Sequence, residues 1–414
     1  MHFGGVLGGS SEMSMKKPKI LIALFRFPYP VTDGTRYKTL DNVIEGLSSE
    51  FDLEFLVTPH EPYTQEQITY LEERYGTVHV FGSTKRGFVL RALRAVFSGL
   101  PLQVEGYTDP HAKRWVREHI SNYDAVYVHE VRMTEYFIHL DSDSRAMCLI
   151  DYNDAISLNY QEASANMSFP KNLMYSVEAN RIKKYESRVL HVFRHFNVIT
   201  PRDRDVLLQN GGMPSGIHFA SIPYGVHVPE QAVSLSSNHN LFFMGNIEYA
   251  PNRDAVSYFL THLWPKVRAT FSDAEFHIIG TGSSLGQYEG VSFHGFVPDR
   301  LSIMNRCSLL VAPIRYGAGV PSKIIDTMAA GLPVLTTPIG AAGIEGVQHA
   351  RELLIVQETD IDVWVSLIER VFEDEAYRKA LGAQAREFII KHYSSDASRE
   401  AFRALFRTIL ASRT

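Results

Sequence analysis

Lys323 and Asp326 stand three residues apart, so a helix would carry both on one face. A cation and a carboxylate so placed suit the two halves of a nucleotide, the phosphates and the ribose hydroxyls. The residues before them fit that chemistry. Gly317 and Gly319 allow a tight backbone turn, and Pro321 suits the first turn of a helix, where its missing N–H is no loss. The unpaired N–H groups of that turn, around Val320 and Ser322, can hold phosphate oxygens. Asp326 would lie roughly 7 Å along the axis from the helix start, a span that a diphosphate and ribose would fill. The apolar run from Ser308 to Pro313 supplies a parallel strand ahead of the loop. Arg315, between strand and loop, is a second candidate cation, with a salt-bridged surface role as its alternative.

On these residues the chain resembles the retaining glycosyltransferases of the GT-B fold, specifically glycosyltransferase family 4. Their donor motif sets two glutamates either side of seven residues, the second opening a helix written Glu-Ala-Met-Ala-x-Gly-x-Pro-Val. Residues 326–334 read Asp-Thr-Met-Ala-Ala-Gly-Leu-Pro-Val, so the resemblance gives Asp326 the ribose-binding role. The first glutamate would fall at Ala318, a departure at a position the family uses near the donor sugar. A branch of the family carries a Gly-x-Gly loop followed by Lys here. An ordinary crossover helix with solvent-facing polar residues is the alternative reading.

Further positions follow from the resemblance. Ligands of open α/β sheets lie beyond the carboxyl ends of strands, and several loops there match. Gly245 and Asn252 follow the first strand of the second half, where the other reading is a turn glycine and a helix cap. Gly280 follows a later strand as lining only, and Gly295 with Val297 matches the segment that meets the nucleobase. The family's Arg and Lys after that first strand are missing, since only Arg253 stands there. Lys323 with Arg315, or with Arg36 from the first half, must then neutralise the departing diphosphate. In the first half, Gly34 falls where the family has glycines beside the reacting centre, and His129 coincides with its histidine at the donor sugar. Asp151 and Asp154 follow a strand and are acceptor-binding candidates, with capping by Asp154 equally open. The expected catalytic set is His129, Lys323 and Asp326.

These groups need elements to position them. Strand-like and helical runs alternate through all 414 residues, which predicts an α/β protein. With the resemblance, the expectation is GT-B: two doubly wound Rossmann-like domains facing across a cleft. Expected strands are 19–24, 52–57, 78–81, 125–128, 146–150, 198–200, 241–245, 275–279, 291–293, 309–312 and 333–335, with a helix over 38–49. The expected divisions are a disordered leader over 1–17, an acceptor-binding domain over 18–228, and a linker over 229–240. A nucleotide-sugar domain over 241–390 follows, and the family implies that a final helix, 391–414, crosses back.

Composition sets outer limits. With 45% apolar and 21% charged residues this is ordinary soluble composition, and a net charge of −5 argues against nucleic acid as partner. Cys148 and Cys307 form no disulfide framework or metal cluster, which suits a reducing cytoplasm. The resemblance implies a metal-independent enzyme with no cofactor, taking a nucleoside diphosphate sugar as co-substrate and a glycan or polyprenyl-linked acceptor. The broader pattern resembles transferases of bacterial surface-polysaccharide assembly. Residues 85–97 carry Arg91 and Arg94 on one helical side and apolar residues on another. They could rest on the inner face of an anionic membrane, or pack as an ordinary amphipathic helix. Two other functions stay open: a GT-B sugar-nucleotide 2-epimerase, and a nucleotide-sugar binder without turnover.

Overall fold

The computed structural model describes residues 17–412, apart from 32–33, 83–86, 88, 90, 92–93, 96–97, 166, 235–236 and 317–321. Two parallel sheets dominate. The first joins β1 (Lys19–Leu24), β2 (Asp52–Val57), β3 (Val78–Val80), β4 (Ala125–His129), β5 (Cys148–Tyr152), β6 (His195–Val198) and β7 (His218–Ser221). The second joins β8 (Asn240–Met244), β9 (Glu275–Ile279), β10 (Val291–Gly295), β11 (Leu309–Ala312), β12 (Val334–Thr336) and β13 (Leu354–Ile355). Their spatial orders, β3-β2-β1-β4-β5-β6-β7 and β10-β9-β8-β11-β12-β13, are doubly wound, so each sheet reverses its winding once. Those switch points, between β1 and β4 and between β8 and β11, open a crevice at the carboxyl edge. This is the expected α/β architecture of the GT-B fold.

Burial on both faces explains why these strands read as apolar runs. In β1, Leu21 and Ala23 join one hydrophobic cluster, while Ile20, Ile22 and Leu24 join another on the opposite face. That second face is covered partly by the last helix, Ser395–Ala411, through Phe402, Phe406 and Ile409. The last helix therefore packs on the first sheet although helix Glu375–His392 before it belongs with the second. The two chain crossings between the halves pair with each other. Val226 N–H donates to Tyr393 O at 2.8 Å, and Ser395 N–H donates to Val226 O at 3.1 Å.

Several expected elements moved. β5 begins at Cys148 rather than 146, and β6 occupies His195–Val198 rather than 198–200. β7 and β13 were not anticipated: the first is half exposed, and the second is two residues long. Cys307 lies in the turn before β11, and both cysteines are free and buried. Helix 34–48 starts four residues early and is π-wound over Lys38–Ile44. The leader, except Lys17, and most of 85–97 lie outside the described residues. Of the latter, Arg91 Nε donates to Gly106 O and Arg94 approaches Glu105 at 3.5 Å, so both have partners within the chain.

Candidate functional site at the interdomain cleft

A cleft of about 720 Å³ lies between the halves, walled by Tyr37, Tyr224 and His227 on one side and by Met244, Arg300 and Asp326 on the other. Ser322 also lines it, at the start of helix Ser322–Ala329. That helix follows β11, so the switch point of the second sheet aims it at the cleft.

Helix spacing brings Lys323 and Asp326 to one side, but tertiary partners set their chemistry. Lys323 Nζ donates to Asn252 Oδ1 at 2.8 Å and stands 5.3 Å from the centre of the Phe243 ring. Burial pushes its pKa down to about 8, because a charge in that setting loses hydration. Asn252 also donates to Asn246 O at 2.8 Å, from the third helical position rather than as a cap, since Tyr249 is the cap and Ala250 begins that helix. Gly245 sits against this pair with φ of +152°. A Cβ there would come within 2.7 Å of Asn252 Nδ2 and 3.2 Å of Lys323 Cε, so a glycine is required for the close approach. Asp326 accepts from Arg300 Nη1 at 3.0 Å. Burial raises the carboxyl pKa and the Arg300 charge pulls it back.

In the first half, His129 ends β4 at the switch point and is buried. Desolvation takes its pKa down to about 4, so the ring is neutral near pH 7. Its Nε2 faces Asn153 Nδ2 at 3.0 Å, and the next residue, Glu130, has φ of +62°, a left-handed backbone rare outside glycine. Neither His129 nor Lys323 is among the described lining residues of the cleft.

Other expected contacts take different partners. Asp151 is fully buried: Lys38 Nζ lies 3.0 Å from it, Tyr127 Oη donates to it, and Asn197 Nδ2 donates at 2.6 Å. Burial alone would raise its pKa, but Lys38 and these bonds outweigh that and hold it low. It has no exposed edge for an acceptor. Asp154 is exposed, though crowding by its surroundings and the charges of Asp203 and Glu130 raise its pKa. Arg315 pairs with both oxygens of Asp254 and lies 4.7 Å from the Tyr258 ring, the salt-bridged arrangement that was its alternative. Arg36 is tied to Glu61 and to Phe27 O. Val297 packs on the second core, while Pro298 and Arg300 beside it line the cleft. A Cβ on Gly280 would meet Gly245 O at 2.0 Å, so its small size serves the packing of strand ends. Gly34 opens helix 34–48, and Gly295 closes β10. Gly317, Ala318, Gly319 and Val320 lie outside the described residues.

Sequence reading missed Lys38, Glu130, Asn153 and Arg300. Arg300 lies three residues after Val297 and was within reach of that segment. A lysine within the run Thr39, Leu40, Val43, Ile44 gave only a weak sign of burial.

Residues 238–374 match the family described as Glycosyl transferases group 1. That span holds β8 through β13 and both Lys323 and Asp326. The second half of the chain carries this glycosyltransferase domain, within a molecule that has the GT-B fold. The chain is 22% identical to an uncharacterized 44.6 kDa protein in the cps region of Klebsiella pneumoniae, over 94% of this chain and 99% of that one. Among solved structures it is similar to Anabaena HepE in complex with UDP-glucose, with a TM-score of 0.56 at 14% identity over 94% of this chain and 100% of that chain. It is also similar to the lipopolysaccharide outer core galactosyltransferase WaaB, with a TM-score of 0.59 at 13% identity over 94% and 99%. At such identities the structural likeness speaks for the fold alone, and the reading of the site rests on this chain's own residues.

Proposed function

We propose that the protein is a retaining, family 4-like transferase that moves a sugar from a nucleoside diphosphate sugar to a hydroxyl of a glycan or polyprenyl-linked acceptor in surface-polysaccharide assembly. The observation that carries this reading is the packing of Lys323 and Asn252 against Gly245, with Asp326 one turn further along the cleft wall. A phosphate needs a cation and a ribose needs a carboxylate; this corner supplies both. WaaB by its name and HepE by its bound UDP-glucose support this class of chemistry, and the relative in a cps region supports the polysaccharide setting.

In the proposed step an acceptor oxygen bonds to the anomeric carbon as the bond from that carbon to the diphosphate oxygen breaks. The diphosphate leaves with the electron pair, and the acceptor proton passes to a leaving phosphate oxygen on the same face. Lys323 would offset the charge gained by the leaving group, so no metal is needed in this reading. The enzyme would work in the cytoplasm and meet lipid-linked acceptors at the inner membrane face. No helix among the described residues is long and apolar enough to cross a membrane.

The test is a panel of nucleoside diphosphate sugars with isolated acceptor lipids and glycans, run with EDTA and with Mg²⁺. Diphosphate release, product mass and anomeric configuration are followed, with Asp326→Ala as control. Transfer with retention in EDTA, lost in the variant, is the expected result. A sugar changed without change of mass would replace the reading with an epimerase, and saturable binding without turnover would leave a nucleotide-sugar binder.

A further inference from the structure

Asn153 joins three groups. Its Oδ1 accepts from Lys38 Nζ at 3.2 Å, and its Nδ2 donates to Glu130 Oε1 at 2.9 Å while facing His129 Nε2 at 3.0 Å. Which end of a carboxamide is oxygen is ordinarily assigned from its neighbours. Here two of them permit one answer. An ammonium only donates and a carboxylate only accepts, so Oδ1 faces Lys38 and Nδ2 faces Glu130. The second Nδ2 proton then points at His129 Nε2, which must be the lone-pair nitrogen. The single ring proton of neutral His129 falls on Nδ1. That atom is buried and finds no hydrogen-bond partner among the described residues. A buried donor without a partner is costly.

We propose that Lys38, Asn153 and Glu130 are positioning residues that lock His129 in the Nδ1-protonated tautomer and present Nδ1–H to an oxygen of the bound nucleotide sugar. The ligand half of this inference rests on the transferase reading; the tautomer does not. Each member is itself held. Lys38 is fixed by Asp151 and stands 5.1 Å from the Tyr224 ring and 5.8 Å from that of Phe402, which belongs to the helix returning from the second half. The left-handed turn at Glu130 folds its carboxylate back onto Asn153, where Arg132 Nη1 lies 3.6 Å from it. The lock needs a ring without charge, because a proton on Nε2 would meet the Nδ2 donor. The charged groups acting on the ring are Glu130, Asp151, Lys38 and Arg26.

The test is the side-chain ¹⁵N–¹H spectrum of the full-length protein, with the His129 signals assigned by their loss in His129→Gln. The wild type should show Nδ1–H with Nε2 unprotonated, unchanged between pH 8 and about pH 5.5, roughly a unit and a half above the folded-state value. An Nε2–H tautomer, or an imidazolium at pH 7, overturns the lock. Lys38→Met would strand the buried Asp151, so Asn153→Asp is the variant to use. Its carboxylate can only accept, which should switch the ring to Nε2–H or charge it. With an active donor, kcat should fall about 10- to 100-fold while donor KM stays within about threefold. A switched tautomer with unchanged kcat removes the positioning role. If the wild type turns over no nucleotide sugar, the transferase reading fails, and the wild-type spectrum alone still decides the tautomer.

Discussion

Arg300 Nη1 donates to Asp326 Oδ2 at 3.0 Å, so the carboxylate proposed to receive a ribose is already engaged by a cation on the same cleft wall. The Arg300 side chain is half exposed, which limits the pair to about 1 kcal/mol or less. A ribose can displace it. Asp326→Ala should weaken binding of the nucleoside diphosphate by about 10- to 100-fold, the loss of hydrogen bonds to a charged group. Arg300→Ala should instead tighten it, by up to about fivefold. Calorimetric titration decides between the two. Losses of similar size in both variants would mean that Arg300 touches the nucleotide itself.

Lys323 gives a pH dependence with a definite sign. Its burial sets the pKa at about 8, and only the protonated form can offset phosphate charge. In the free enzyme kcat/KM should therefore decline as pH rises through about 8. Lys323→Met should lower kcat by about 10²- to 10³-fold and remove that limb from the profile. A limb that persists at the same pH in the variant assigns it to another group.

Two kinds of buried group pull stability in opposite directions with pH. His129 and His195 are held neutral by burial, each with a pKa near 4 against an ordinary 6.5, so the unfolded chain binds more protons between those values. Their contribution is present above 6.5 and is lost as pH falls toward 4, at about 1.4 kcal/mol per unit for each. Glu186, buried against Ser157 and Asn210, is raised to about 7 from 4.5. Its contribution is full below 4.5 and is lost as pH rises through 7. Glu186→Gln should therefore gain stability relative to the wild type across that window, again at about 1.4 kcal/mol per unit. Urea denaturation at successive pH values measures the difference. A difference that stays constant from 4.5 to 7 would show a carboxyl that titrates normally.

The last helix is held by its core face more than by its charges. Arg399 pairs with Asp41 on helix 34–48 and Arg407 with Glu50 in the turn that follows it, both partly exposed. Phe402 is wholly buried in the cluster under β1. Phe402→Ala should cost about 3–5 kcal/mol, and Arg399→Ala about 1 kcal/mol or less. Equal costs in denaturant melts would move the hold to the ion pairs.

Strands buried on both faces were legible where apolar residues fill them throughout. β1, β8, β9 and β11 stand within a residue of their expected bounds. β5 and β6 slipped because their later halves carry Asp151 and Asn197, which no local pattern marks as strand interior. Those two polar residues bond to each other, and Asp151 is neutralised by Lys38, 113 positions away in the chain. A buried charge is tolerable only when paired, and the pairing exists only after the sheet has assembled.

The same division holds at the cleft. Glycine permissiveness, the three-residue spacing of Lys323 and Asp326, and the alternation of strand and helix are local properties, and the amino-acid sequence by itself determined them. Which long polar side chain meets which was decided by strand order. That order set Arg300 rather than Arg315 beside Asp326, turned Arg315 to Asp254 and Arg36 to Glu61, and brought Lys38, Asn153 and Glu130 around His129. The physical reason is range: backbone preferences act over a few residues, whereas hydrogen bonds and ion pairs act over a few ångströms. Only the folded sheets bring those distances within reach.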